Sequence, residues 1–288
     1  MAKPDIRIPP IRREPAVRQR EPATQSQPMR RWTENAWRIT AFPLILLFFI
    51  PIVMLFARAS PQQLLANIGQ KAVLDAIGVS LRTTLISLGL ILLLGTPLAY
   101  LMGRYRFRYK KALDTLIDLP TVLPPSVAGV ALLMTLGRRG LIGGWLEDMG
   151  IEVGFTMAAV VIAQTFIAAP FYVRAATLGF ASIDSEIEQA AQLDGANRWQ
   201  IFRYIILPLS RLALISGGMM SWARALGEFG ATMIFAGNFP GRTQTMPTAI
   251  YLGFERDLES ALTLSVILVV ISFFSLLLIK VLVSYETE

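Results

Sequence analysis

Five stretches of the chain carry no charged side chain and are apolar almost throughout: 39–57, 83–103, 119–137, 153–173 and 260–279. They are bounded by Arg38 and Arg58, Arg82 and Arg104, Asp118 and Arg138, Glu152 and Arg174, and Glu259 and Lys280. Each holds roughly 20 residues, which as a helix rising 1.5 Å per residue covers a hydrocarbon core about 30 Å thick. Five such runs in one chain cannot all be core helices of a water-soluble domain. The pattern predicts an all-α, polytopic membrane bundle.

A sixth apolar segment, 209–236, contains Arg224 and Glu228. Four residues apart on a helix, they share a face and can pair. Charge within a span is expensive and faces protein or water. The sequence leaves two roles open for the pair, a structural bridge near the outer surface or a lining of the translocation path. Pro97, Pro120, Pro124, Pro125 and Pro170 fall in the predicted second, third and fourth spans. Membrane helices tolerate proline where neighbours re-satisfy the backbone. Gly89, Gly95, Ser126, Gly129, Gly217 and Gly218 are small enough for close helix approach.

Residues 1–38 differ from the rest, with nine Lys/Arg against four Asp/Glu and six prolines. They predict a disordered, basic, Pro-rich cytoplasmic tail, either simply solvated or drawn to anionic headgroups of membrane lipid. The run 39–57 then predicts a retained first anchor, since its polar leader is too long for a signal peptide. Arg104, Arg106, Arg108, Lys110 and Lys111 crowd one short loop and mark it as cytoplasmic. Six spans then place both termini on the cytoplasmic side of the membrane, with the segment 179–208 on the same side.

Composition sharpens this. The chain is 54% hydrophobic and 16% charged, with a mean hydropathy of +0.53. The net charge of +7 fits cations held at the inner membrane face better than a nucleic-acid partner. There is no cysteine and no histidine, which removes thiolate chemistry, the commonest general base and the commonest neutral metal ligand. No catalytic residue and no metal site is predicted. The glycine-rich pattern GxxxxGK[ST] that cradles a nucleotide phosphate is absent, so any ATP and Mg must be held by another chain.

The segment 184–208 reads DSEIEQAAQLDGANRWQIFRYIILP. Ile187, Ala190, Ala191 and Asp194 follow helical spacing, as do Trp199, Phe202 and Ile205. Gly195 stops the first helix and allows a bend. Pro208 is expected to open the next span, where a missing N–H costs little. A short helix, a bend and a second helix at the inner surface follow. Ala190 and Ala191 offer a face that a partner can approach closely.

This segment resembles the signature of binding-protein-dependent ABC importer permeases: Glu-Ala-Ala, three residues, Gly, nine residues, Ile-x-Leu-Pro. Here it is Gln189-Ala190-Ala191, then Gly195, then Ile205-Ile206-Leu207-Pro208, with the spacing kept and Gln189 in place of the usual Glu. Glu188 is adjacent but about 100° away around a helix. The resemblance covers about 72–283. It implies a type I (MetI-like) permease domain whose loop, with Glu188, Gln189, Ala190, Ala191, Asp194, Gly195, Ile205, Leu207 and Pro208, docks on a separate ATPase subunit. It also implies a second permease copy, as a homodimer, and a periplasmic or lipid-anchored binding protein that delivers the substrate.

The stretch 223–251, through its GEFGAT and GNFPGRTQTMP runs, is similar to oxyanion importers of the molybdate/tungstate type, with sulfate/thiosulfate permeases as the alternative. Arg224 and Arg242 would favour a dianion, and Thr232, Thr243 and Thr245 can donate hydrogen bonds. Glu228 is the remaining candidate for a gate or path. Two further classes fit the sequence less well. A membrane enzyme lacks clustered acid–base groups, and a gradient-driven secondary transporter calls for an internal repeat that the sequence does not display.

Overall fold

The computed structural model describes residues 27–284, and every regular element among them is helical. These described residues divide into two units, one up to Val53 and one from Met54. Helix α1 (Gln27–Arg58) carries the first apolar run. The expected tail over 1–38 lies outside the described residues as far as residue 26. Residues 27–38 are helical, because Pro28 sits in the first turn, where no N–H is needed, and the next proline is Pro43.

The second unit opens with α2 (Pro61–Ile68) and α3 (Lys71–Arg104). It continues through α4 (Lys110–Val122), α5 (Pro125–Leu136) and the short α6 (Gly143–Asp148). Helix α7 (Met157–Ala181) leads into α8 (Ser185–Leu193) and α9 (Arg198–Ile201). A wide π turn, Phe202–Ile206, joins α9 to α10 (Leu207–Leu209). The chain ends with α11 (Arg211–Leu226), α12 (Gly230–Phe235), α13 (Met246–Arg256) and α14 (Leu258–Ser284).

Among the described residues, four helices are long and apolar enough to span a bilayer, or up to six spans if two bent pairs each count as one. The structure departs from the predicted spans in four places. The run 119–137 is not one straight helix: α4 and α5 meet at 115°. Leu123 is extended and Pro124 and Pro125 follow, and proline both lacks an N–H and disfavours a helical residue before it. The run 209–236 is likewise divided. The chain bends by 69° between α10 and α11, and α11 stops at Leu226, leaving α12 as a separate short helix. Helix α3 starts three turns earlier than the charge-free run and takes in Asp75 and Arg82. Helix α7 extends past Arg174 to Ala181, because Arg174 is met by two carboxylates of α4, Asp114 at 2.5 Å and Asp118. An arginine so paired need not end a span.

Helices α3, α7 and α11 form the central trio. Backbones approach where side chains are smallest. A Cβ on Gly95 would meet the Tyr172 ring at 2.9 Å, and one on Gly217 would meet the Ala175 Cβ at 2.6 Å. Gly129 serves α5 in the same way against Ala231 of α12 at 2.9 Å, whereas the predicted contact at Gly89 is open space. Buried polar groups are satisfied across the same seams. Ser87 donates to the Val161 carbonyl and lies 3.1 Å from the Gln164 side chain. Ser221 donates to the Ala168 carbonyl at 2.8 Å, and Trp222 donates to Thr84 at 3.2 Å. Such bonds matter because lipid offers no alternative partner.

The helices sort the loops to two ends. At one end Arg104 of α3 meets Ile183 and Glu188 beyond α7. At the other, Gln63 of α2 donates to Glu259 of α14, and the Phe155 N–H donates to the Phe235 carbonyl. There Asp257 starts α14. It accepts from the Ser260 hydroxyl at 2.5 Å and its N–H at 3.2 Å, and these bonds hold its carboxyl below the usual range.

Two predictions follow from this packing. Gly217→Leu will force α11 off α7 at an overpacking cost of about 1–3 kcal/mol, read as a lower Tm in detergent. Removing the Asp257 carboxylate by Asp257→Ala will also lower Tm at neutral pH. A depressed carboxyl pKa contributes stability above its unfolded value of about 4 and loses it as the pH falls through the folded value. The Tm gap between the two proteins should therefore narrow in acid.

Candidate functional site: the inner loop and its anchors

The segment after α7 is built from local capping. Helix α7 closes at Ser182, and buried Ile183 turns the chain inward. Asp184 then caps α8, its side chain accepting from the Glu186 N–H at 3.0 Å. Helix α8 ends with bonds from Gly195 N–H to the Gln192 carbonyl and from Ala196 N–H to the Ala191 carbonyl, both 3.0 Å. Gly195 itself has φ of +88°, a left-handed conformation that glycine adopts at no steric cost. Asn197 and Gln200 form a capping box that starts α9. The predicted helix, bend and second helix are all present.

The second helix differs from expectation in one respect. Pro208 does not open the next span. It lies in α10, within a continuous helical run, and α11 begins only at Arg211. The π turn falls immediately before it, with the Leu207 N–H reaching back to the Phe202 carbonyl. Pro208 has no N–H to offer the Tyr204 carbonyl in an α pattern, and the wider turn accommodates that loss.

One face of this assembly is held by the bundle. Ile201 and Ile206 are buried in the same core as Tyr172, Phe180 and Ala99, and Ala191 packs against it. The rings of Tyr100, Phe180 and Phe202 meet at near-perpendicular or tilted angles, with centroids 5.1–6.4 Å apart. Glu188 also faces inward and pairs with Arg104. The opposite face is open. Gln189, Ala190, Asp194, Gly195 and Pro208 are exposed, and Leu193 projects with 90% of its surface free. Trp199 and Tyr204 are exposed as well. Ile205 and Leu207 are half-buried. A hollow of about 350 Å³ lies beside the bend, lined by Asp194, Gly195, Ala196, Gln200, Tyr204 and Ile205.

The loop thus presents a large apolar knob, Leu193, beside the small Ala190 and a concavity, on a scaffold fixed from behind. Such an arrangement suits insertion into a partner's groove. Sequence reasoning missed three parts of it: Leu193, the inward direction of Glu188, and Arg104. The spacing of Glu188 and Ala191, one helical turn apart, is the signal that separates the inward face from the outward one.

The predicted path residues are used differently. Arg224 and Glu228 do pair, at 2.9 Å, although Glu228 lies beyond the end of α11. Glu228 is buried, and its other oxygen accepts the Ala231 N–H at 2.8 Å, so it also starts α12. Thr243 accepts the Phe239 N–H at 3.1 Å, and Thr245 belongs to the capping box of α13. Thr232 is buried with a hydroxyl that has no partner, and Arg242 is exposed on the loop that contains Gly241.

With this geometry in view, the class is a multi-pass helical membrane protein. Residues 95–284 match the family described as "Binding-protein-dependent transport system inner membrane component". The chain belongs to that family, and so is a transport subunit rather than an enzyme. It is 40% identical over 223 residues to "Molybdenum transport system permease protein ModB" of Mycobacterium tuberculosis, covering 77% of this chain and 84% of that one. It is 34% identical over 245 residues to "Probable sulfate transport system permease protein cysT" of Chlorokybus atmophyticus, covering 83% and 85%. A bacterial ABC transporter involved in the import of alginate shares the fold, with a TM-score of 0.70 at 18% identity over 90% of this chain and 98% of that one.

Nothing crowds a Cβ at Gly195, so only its backbone angle restricts substitution. Gly195→Val will strain the bend by roughly 1–2 kcal/mol, and amide exchange across 185–201 will speed up. Gly195→Asn, which tolerates the left-handed region, should stay close to the parent.

Proposed function

We propose that this chain is the permease subunit of an ATP-driven importer for a tetrahedral oxyanion, molybdate or its close analogue tungstate. The observation that carries the reading is the inner loop, held from behind and open in front, in a chain so similar to a molybdenum permease over most of its length. In this account Gln189, Ala190, Leu193, Asp194 and Gly195 meet a separate ATPase subunit, which holds ATP and Mg. Two copies of the chain enclose the path, and a periplasmic or lipid-anchored binding protein supplies the anion. Both termini and the Arg104-containing end face the cytoplasm, in keeping with the cluster of basic residues there. The outer loops, including Arg242, face the binding protein.

Gln189 offers the ATPase a neutral amide where the signature usually has a carboxylate, so docking rests more on shape than on charge. Gln189→Glu should therefore preserve coupled uptake. Sulfate is the second reading, favoured by the similarity to a sulfate permease. The test is reconstitution of the chain with its ATPase and binding protein in vesicles, followed by labelled molybdate uptake with and without ATP. The account expects uptake that needs ATP and resists a large excess of sulfate. Uptake driven by an ion gradient without ATP would contradict it, and equal competition by sulfate would favour the second reading.

A further inference from the structure

Arg104 is the last residue of α3, and its guanidinium reaches both the end of α7 and α8. One nitrogen donates to the Phe180 carbonyl at 3.1 Å and to the Ile183 carbonyl at 2.7 Å, at the C-terminal end of α7. The other is paired with Glu188 of α8. The side chains are largely shielded, at 12% exposure for Arg104 and 19% for Glu188. A cation among the free carbonyls of a helix C-terminus is well placed electrostatically, and partial burial strengthens both the pair and the bonds. The attachment is stiff. Gly103 lets α3 approach so closely that a Cβ there would lie 2.9 Å from the Thr177 carbonyl and 3.0 Å from the Phe180 Cβ. The other half of the loop is held by apolar contacts of Ile201, Phe202 and Ile206. Helix α8 itself has no fully buried residue. Only Ala191, half-buried, packs it on the core, and Glu188 is its polar tie to the bundle.

We infer that Arg104 and Glu188 are positioning residues that carry movement of α8 into α3 and α7. Glu188 is therefore an inward link and not a contact for the ATPase. This rests on the permease reading given above. A force applied at the exposed Leu193 face turns α8 about its bend, and without the pair α8 slides over the bundle end instead of moving it. The predicted defect is loss of transport per ATP hydrolysed, with assembly intact.

The chain has no cysteine, so two introduced thiols can be addressed alone. The test uses the assembled transporter in vesicles, comparing the parent with Arg104→Cys/Glu188→Cys before and after bridging by a bifunctional thiol reagent of arginine length. Arg104→Lys serves as a folding control. The inference expects uptake per ATP to fall at least about fivefold in the unbridged variant, a coupling loss within the usual range for linked sites. Bridging should restore it to within about twofold of the parent. Unbridged variants that transport normally would overturn the inference. So would a bridged, assembled complex that stays uncoupled, since α8 would then have to move independently of α3. If the parent itself shows no ATP-dependent uptake, it is the permease reading that fails.

Discussion

The close seam between α3 and α7 is the constraint on which the rest of the structure depends. In a bilayer, apolar side chains gain nothing by leaving lipid for protein, so helices associate through tight packing and hydrogen bonds. Gly95 and Gly103 bring the two backbones together at successive levels. Ser87 with Gln164, and Thr96 with Tyr172 at 2.6 Å, supply bonds across the seam. Helix α11 then docks against α7 through Gly217 and Ser221, and against α3 through Trp222, which donates to Thr84. At the end nearest residues 184–208 the seam gathers Tyr100, Phe180 and Arg104, which are the groups that hold the loop. A change in how α3 lies on α7 therefore moves the loop, and a displaced loop pulls on the seam.

Much of this was legible in the order of apolar and charged residues. Charge-free runs located the membrane helices because a charge in lipid is costly, and the loop's helix, bend and helix followed from the helical spacing on either side of Gly195. The departures have physical causes that local pattern does not carry. Arg174 reads as the end of a span until Asp114 and Asp118, one turn apart on α4, are seen to meet it. The run 119–137 has the length of a span, yet Pro124 and Pro125 turn the chain by 115°. Proline alone does not predict such a break, since Pro97 and Pro170 sit inside unbroken helices. Glu188 counts among the loop's docking residues until its inward direction is known.

The candidate path residues teach a related lesson. Glu228, Thr243 and Thr245 are spent on starting or closing local elements, so their residue types do not by themselves mark an anion route. Thr232, buried and unpartnered, has a free hydroxyl. On the proposed reading, selection among tetrahedral dianions falls chiefly to the binding protein.

The central claim is that the outward face of the loop is where the ATPase sits. Because the chain has no cysteine, Leu193→Cys carries a single thiol at its most exposed point. The direct measurement is the rate at which a water-soluble maleimide labels that thiol, in the permease alone and in the complex with its ATPase. The account predicts fast labelling in the isolated permease and at least about tenfold protection in the complex, as expected for a knob seated in a partner's groove. Equal labelling rates in an intact complex would contradict it.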